Sequence, residues 1–243
     1  MAKKYQILLG LLLLVIIMVG GSLFYVDQNT CQPTAKALKE TKNAQETNEW
    51  LYFAGEQEKP AIIFYPGALV EPASYAIWCN ELAEAGYPVY LLKLPLNLAV
   101  LSPNKAKQVL AEIGEREYVI GGHSLGGVMA SRFAHQQVKQ NDEQLQGTFF
   151  LASYPDEKGR LTKTPLSVLS MKGSQDQVIN QTAYQQAKAD LPSSTSYIEI
   201  IGGNHAGFGS YGQQKGDGTA TIPNEKQQRL VAENLHTWLE KLE

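Results

Sequence analysis

The sequence predicts an α/β protein: a doubly wound, mostly parallel sheet of about seven strands with helices on both faces, preceded by one N-terminal transmembrane helix. Three observations carry this. From Trp50 onward, short apolar runs alternate with stretches of helical periodicity, the pattern of a sheet covered on both sides. Most of those runs are apolar at every position rather than every second one, as strands buried on both faces must be. At the other end of the chain, 16 of the 20 residues from Ile7 to Val26 are apolar, enough at about 1.5 Å per residue to cross a hydrocarbon layer of about 30 Å.

Taken in order, residues 1–6 are expected to be a short cytoplasmic N-terminus and 7–26 a transmembrane signal-anchor. Lys3 and Lys4 precede the run and the next basic residue is Lys36, so the positive-inside bias places the body outside the membrane. Ser22 offers a permissive cleavage site, so the alternative is a secreted protein after signal removal. Residues 27–48 lack aromatics before Trp50 and are rich in Gln, Asn, Thr and Lys, which is linker composition; 35–42 is an alternative helical stalk. Cys31 and Cys79, the two cysteines, are expected to be unrelated free thiols.

Residues 49–243 form the body. Strands are expected at Trp50–Phe53, Ala61–Tyr65, Val89–Lys93, Tyr118–Gly121, Thr148–Ala152, Leu166–Met171 and Tyr197–Ile201. Helices are expected at Ser74–Glu84, from Ser102 and Pro103 to Ile113, at Leu125–Val138, at Val178–Asp190 and from Asn224, where Val231, Leu235, Trp238 and Leu242 recur at helical spacing and Asn224 with Gln227 resembles a capping pair. Beyond the apolar run the chain carries 19 bases and 24 acids, which argues against a nucleic-acid binder.

The chemistry centres on Gly121-Gly122-His123-Ser124-Leu125-Gly126-Gly127, between an expected strand and an expected helix. A serine on so sharp a turn is pushed out at the top of the sheet, and small neighbours let the backbone pass close to it. A serine hydroxyl needs a base, and the base an orienting acid. Of four histidines, His123 is assigned to packing beneath the turn, and His135 and His236 to helix surfaces. His205 stands in a loop after an expected strand and is the candidate base. Asp176, after the preceding strand, is the candidate acid, with Asp156 and Glu157 as substitutes. The order Ser124, Asp176, His205 is that of the nucleophile-elbow enzymes. The developing oxyanion needs two donors: the N–H of Leu125, and one from the loop Tyr65-Pro66-Gly67-Ala68-Leu69, with Ala68 preferred and Gly67 or Leu69 as alternatives. Gly207-Phe208-Gly209-Ser210-Tyr211-Gly212 imitates a dinucleotide pattern but is followed by a loop, so no cofactor is expected; no spacing of metal ligands appears either.

With these residues in place, the sequence resembles the α/β-hydrolase superfamily over nearly all of Trp50 to Leu242. The phrases Phe64-Tyr65-Pro66-Gly67, Lys93-Leu94-Pro95-Leu96-Asn97-Leu98-Ala99 and Asn204-His205-Ala206-Gly207-Phe208-Gly209-Ser210-Tyr211-Gly212 resemble the alpha/beta hydrolase fold-5 group, akin to dienelactone hydrolases. The resemblance implies Ser124 as nucleophile, Asp176 as acid, His205 as base, and Leu125 with Ala68 for the oxyanion. Dienelactone hydrolases use a cysteine nucleophile, so serine here points away from a lactone ring.

The expected function is that of a membrane-anchored serine esterase with a small-molecule ester substrate. The connections 152–166 and 171–178 are too short for a helical lid, so an open site taking short or accessible esters is expected, with Tyr75, Tyr154, Phe208 and Tyr211 as lining. An acyltransferase shares the acyl-enzyme, and an inactive binding module on the same scaffold is the alternative from another class.

Overall fold

The computed structural model describes residues 2–242, with the backbone alone at 2–4, 6–10, 16, 19 and 22. Eight strands, β1 (Ala44–Glu46), β2 (Trp50–Phe53), β3 (Ala61–Tyr65), β4 (Val89–Leu92), β5 (Tyr118–His123), β6 (Leu145–Leu151), β7 (Ser167–Gly173) and β8 (Ser196–Ile200), form one sheet in the order β1-β2-β4-β3-β5-β6-β7-β8. β3 to β8 run parallel, while β2 is antiparallel to both its neighbours. Among the described residues seven α-helices accompany them: α1 (Ala2–Asn29), α2 (Ala35–Glu40), α3 (Ala76–Glu84), α4 (Ala106–Ile113), α5 (Leu125–Lys139), α6 (Gln181–Ala187) and α7 (Asn224–Leu239).

The apolar strands divide their side chains between two cores, because successive residues point to opposite faces. On β3, Ile62 and Phe64 join Trp78 of α3 and Trp238 of α7 on one face. Ala61, Ile63 and Tyr65 join Ala106 and Val109 of α4 and Phe133 of α5 on the other. Phe149 and Phe150 on β6 split the same way. One helix start moves for a visible reason: α4 begins at Ala106 rather than Ser102, because the Tyr65 hydroxyl accepts the Ala106 N–H at 3.0 Å and donates to the Pro103 carbonyl at 2.8 Å.

One expectation is corrected. The run at 7–26 folds as part of helix α1, but among the described residues no helix is long and apolar enough to cross a membrane. A crossing needs about 20 consecutive apolar residues in one helix, and no helix among the described residues meets that requirement. The transmembrane signal-anchor, and the membrane as a partner through it, are therefore not supported; the side chains at 7–10, 16, 19 and 22 lie outside the described residues.

The segment 31–46, of linker composition, is built into the body. Cys31 bridges to Val70, its N–H bonding the Leu69 carbonyl at 2.7 Å and its carbonyl accepting from Glu71 at 3.1 Å. Thr34 caps α2 through its side chain and bonds Ser210 through backbone and hydroxyl, each at 2.8 Å. Ala37 is buried, and β1 pairs with β2 over Ala44↔Phe53 to Glu46↔Leu51. Both cysteines are free thiols. A fragment beginning at residue 47 should accordingly be less stable than one beginning at residue 29, by about 2 kcal/mol for the lost burial and pairing, or roughly 4–8 °C in Tm. Equal melting of the two fragments would show that 31–46 adds nothing.

Candidate active site

The carboxyl ends of β3 and β5 lie side by side, in register from Ala61↔Tyr118 to Tyr65↔Gly122. The chain leaves β3 for β4 on one side and resumes at β5 on the other, which makes this edge the switch point where ligands sit in such sheets. Ser124 follows β5 directly and opens α5, with φ 51° and ψ −124°. A side-chain-bearing residue at positive φ is strained, and the surroundings enforce it. A Cβ on Gly122 would stand 2.4 Å from the Gly126 carbonyl carbon, and one on Gly126 2.2 Å from the Tyr65 carbonyl oxygen. Ser153 closes the turn, its hydroxyl donating to the Ser124 carbonyl at 2.6 Å.

Gly126→Ala should therefore be costly, because the three atoms nearest its methyl, the Tyr65 and Pro66 carbonyl oxygens and the Tyr65 carbonyl carbon, all belong to backbone. We expect a loss of about 3 kcal/mol, or roughly 6–12 °C in Tm. A melting midpoint within a degree or two of the parent would contradict the packing described.

Of the predicted acid and base, the structure brings Asp176 and His205 together: both are buried, and His205 Nδ1 lies 2.9 Å from Asp176 Oδ2. The other carboxylate oxygen, Oδ1, accepts the N–H groups of Val178 and Ile179, each at 2.9 Å. Nε2 of His205 is buried without a hydrogen-bond partner among the described residues. The His205 ring is brought to the elbow by His123, whose ring centroid lies 4.6 Å away. Asp156 is occupied elsewhere, held by Arg132 and capping the turn at Glu157–Gly159.

The loop after β3 sorts its own amides. Pro66 has no N–H; that of Gly67 donates to the Tyr75 hydroxyl at 2.9 Å, and that of Leu69 to the Asn97 carbonyl at 2.8 Å. Val70 donates back to Gly67 at 3.3 Å. The N–H of Ala68 has no partner among the described residues, and the residue is solvent-exposed. Leu125, first residue of α5, likewise presents an N–H that a helix start leaves unpaired. Asn97 sits at φ 53° with its side chain donating to Glu71 at 2.8 Å, so the phrase Lys93–Ala99 props the loop that carries Ala68.

The His205 loop is held, from α7 and from the segment that precedes it, by residues whose role the sequence did not disclose. Gln227, paired with Asn224 as a cap by its spacing, instead bonds the Asn204 backbone at both ends of its amide, at 3.1 and 2.8 Å. Gln228 donates to the carbonyls of Gly207 and Gly209. Asp217 accepts the N–H of Ala206 at 2.8 Å. Their partners lie 11 to 23 residues away in the chain, and no local spacing signals them. Of the expected lining aromatics, Tyr75, Phe208 and Tyr211 are buried supports and only Tyr154 is partly exposed. Between β6 and β7 the chain forms only the short turn Glu157–Gly159. A cavity of about 400 Å³ bounded by Thr34, Asn204, Asp217 and Gln227 lies behind the His205 loop rather than at Ser124. Among the described residues, no cluster of three His, Cys, Asp or Glu side chains is placed to hold a metal.

Comparison with solved structures finds the same architecture at low identity. A bacterial membrane phospholipase A superposes with TM-score 0.62 at 14% identity, over 98% of each chain. Naproxen esterase (carboxylesterase NP) from Bacillus subtilis gives 0.58 at 12%, covering 84% of this chain and 95% of its own. The monoacylglycerol lipase of Paleococcus ferrophilus gives 0.58 at 14%, covering 79% and 100%. No curated protein matches the sequence. The family model of the alpha/beta hydrolase family matches residues 61–229, more than two thirds of the chain and the span from β3 to α7 that holds every residue of this site, and the chain therefore belongs to the alpha/beta hydrolase family.

Proposed function

We propose that this chain is a serine hydrolase, a carboxylesterase acting on short or accessible esters through Ser124, His205 and Asp176. The observation that carries it is the buried His205–Asp176 pair at 2.9 Å, set against a strained serine turn whose neighbouring loop leaves one amide without a partner among the described residues. Ser124 Oγ attacks the ester carbonyl while His205 Nε2 takes its proton. Asp176 holds Nδ1–H and balances the charge on the ring. The tetrahedral oxyanion receives the N–H groups of Leu125 and Ala68. Collapse expels the alcohol, which leaves with the proton from His205. Water, deprotonated by the same nitrogen, then releases the acid from the acyl-enzyme. The short connection between β6 and β7 supports an uncovered site, and the esterase and lipase relatives in fold support an ester carbonyl as the target.

A fluorophosphonate probe tests this without knowledge of the natural substrate. Labelling should map to the peptide bearing Ser124, and a panel of activated esters should be turned over best at short acyl length. A native chain that takes up no label would overturn the reading.

A further inference from the structure

Tyr75, which ends the 3-10 turn Pro72–Tyr75, is fully buried beneath the loop that carries Ala68. Its hydroxyl oxygen lies 2.9 Å from the Gly67 nitrogen and 2.9 Å from His123 Nδ1. A backbone N–H can only donate, so the oxygen accepts from Gly67; the phenolic proton, with no other acceptor among the described residues, goes to His123 Nδ1. His123 is then the tautomer with its proton on Nε2. Burial, with nearby His205 adding to it, holds the His123 pKa well below the usual histidine range, so Nδ1 keeps the lone pair that Tyr75 needs. On its other side the His123 ring packs against His205, centroids 4.6 Å apart. The junction leaves no slack: a Cβ on Gly67 would stand 2.8 Å from His123 Nδ1 and 3.1 Å from the Tyr75 oxygen.

We infer that Tyr75 is a positioning residue that couples the oxyanion loop to the base, by withdrawing the Gly67 N–H from the reaction centre and anchoring the ring on which His205 rests. This rests on the proposed ester hydrolysis and goes beyond it. With the Gly67 amide pinned from below, the next amide in the chain, that of Ala68, is the one presented; the same hydroxyl sets the His123 ring through Nδ1. Losing it frees both ends of the tie at once. The damage falls on the transition state, where the oxyanion and the imidazolium form, rather than on substrate binding.

The test is Tyr75→Phe, which keeps the ring packed on Phe64 at 5.0 Å, with His123→Leu and the double variant beside it. Each is assayed on an activated ester, with kcat expressed per site titrated by fluorophosphonate so that any unfolded fraction drops out. Tyr75→Phe should lose about 10- to 100-fold in kcat, less than the 100- to 1,000-fold seen when an oxyanion donor is removed outright, with KM within about twofold. The double variant should lose no more than the worse single one, since both break one tie. An unchanged kcat per titrated site, a loss confined to KM, or additive losses would each overturn the coupling. Equal labelling of Ser124→Ala would instead overturn the reading of Ser124 itself.

Discussion

Ser124→Ala should lower kcat on an activated ester by about 100,000-fold or more while leaving the fold in place. The fold survives because the strain at this position belongs to the backbone, φ 51° and ψ −124°. Alanine carries the same Cβ as serine, so it meets no new atom and suffers no new clash. What disappears is the nucleophile alone. His205 would keep its 2.9 Å bond to Asp176, and the amides of Leu125 and Ala68 would remain, leaving a residue of roughly 1,000- to 10,000-fold catalysis over water from oxyanion stabilisation and binding. Steady-state turnover of purified variant and parent, with melting curves for both, settles the matter. A variant within tenfold of the parent would exclude Ser124 as nucleophile.

The parts of this molecule legible in its sequence are those whose physics is local. Ala61–Tyr65 reads as a buried strand because all five residues are apolar, and it is one, five for five buried. The serine turn reads from its glycines because the close approach of Gly126 to the Tyr65 and Pro66 carbonyls allows no side chain. Opaque features depend on partners distant in the chain. Nothing in Ala44–Glu46 marks a strand until β2 is there to pair with it. Choosing Ala68 over Gly67 or Leu69 as the free amide requires knowing that Tyr75 takes one neighbour and Asn97 the other. Gln227 sits at a capping position by spacing, yet its amide serves the backbone of Asn204. The apolar N-terminal run shows the reverse error, since a pattern strong in composition does not translate into a described helix able to cross a membrane.

The same dependence on distant partners makes Asp176→Asn a sharp test of the base. The carboxylate divides its two oxygens between different tasks: Oδ1 accepts from the amides of Val178 and Ile179, while Oδ2 faces His205 Nδ1. An asparagine here has one oxygen and one NH₂ group. The two backbone donors can be met only by the oxygen, so the NH₂ is turned towards His205. Nδ1 must then become an acceptor, and the imidazole proton moves to Nε2, the nitrogen that should receive the proton of Ser124. The base is thereby disabled without any change of shape. By analogy with the tautomer trap in serine proteases, kcat should fall by about 10,000-fold, with KM little changed and Tm within a few degrees of the parent. Asp176→Ala should also lower stability, since it leaves the Val178 and Ile179 amides without an acceptor at about 1–3 kcal/mol each. A kcat for Asp176→Asn within tenfold of the parent would show that His205 takes its orientation from elsewhere.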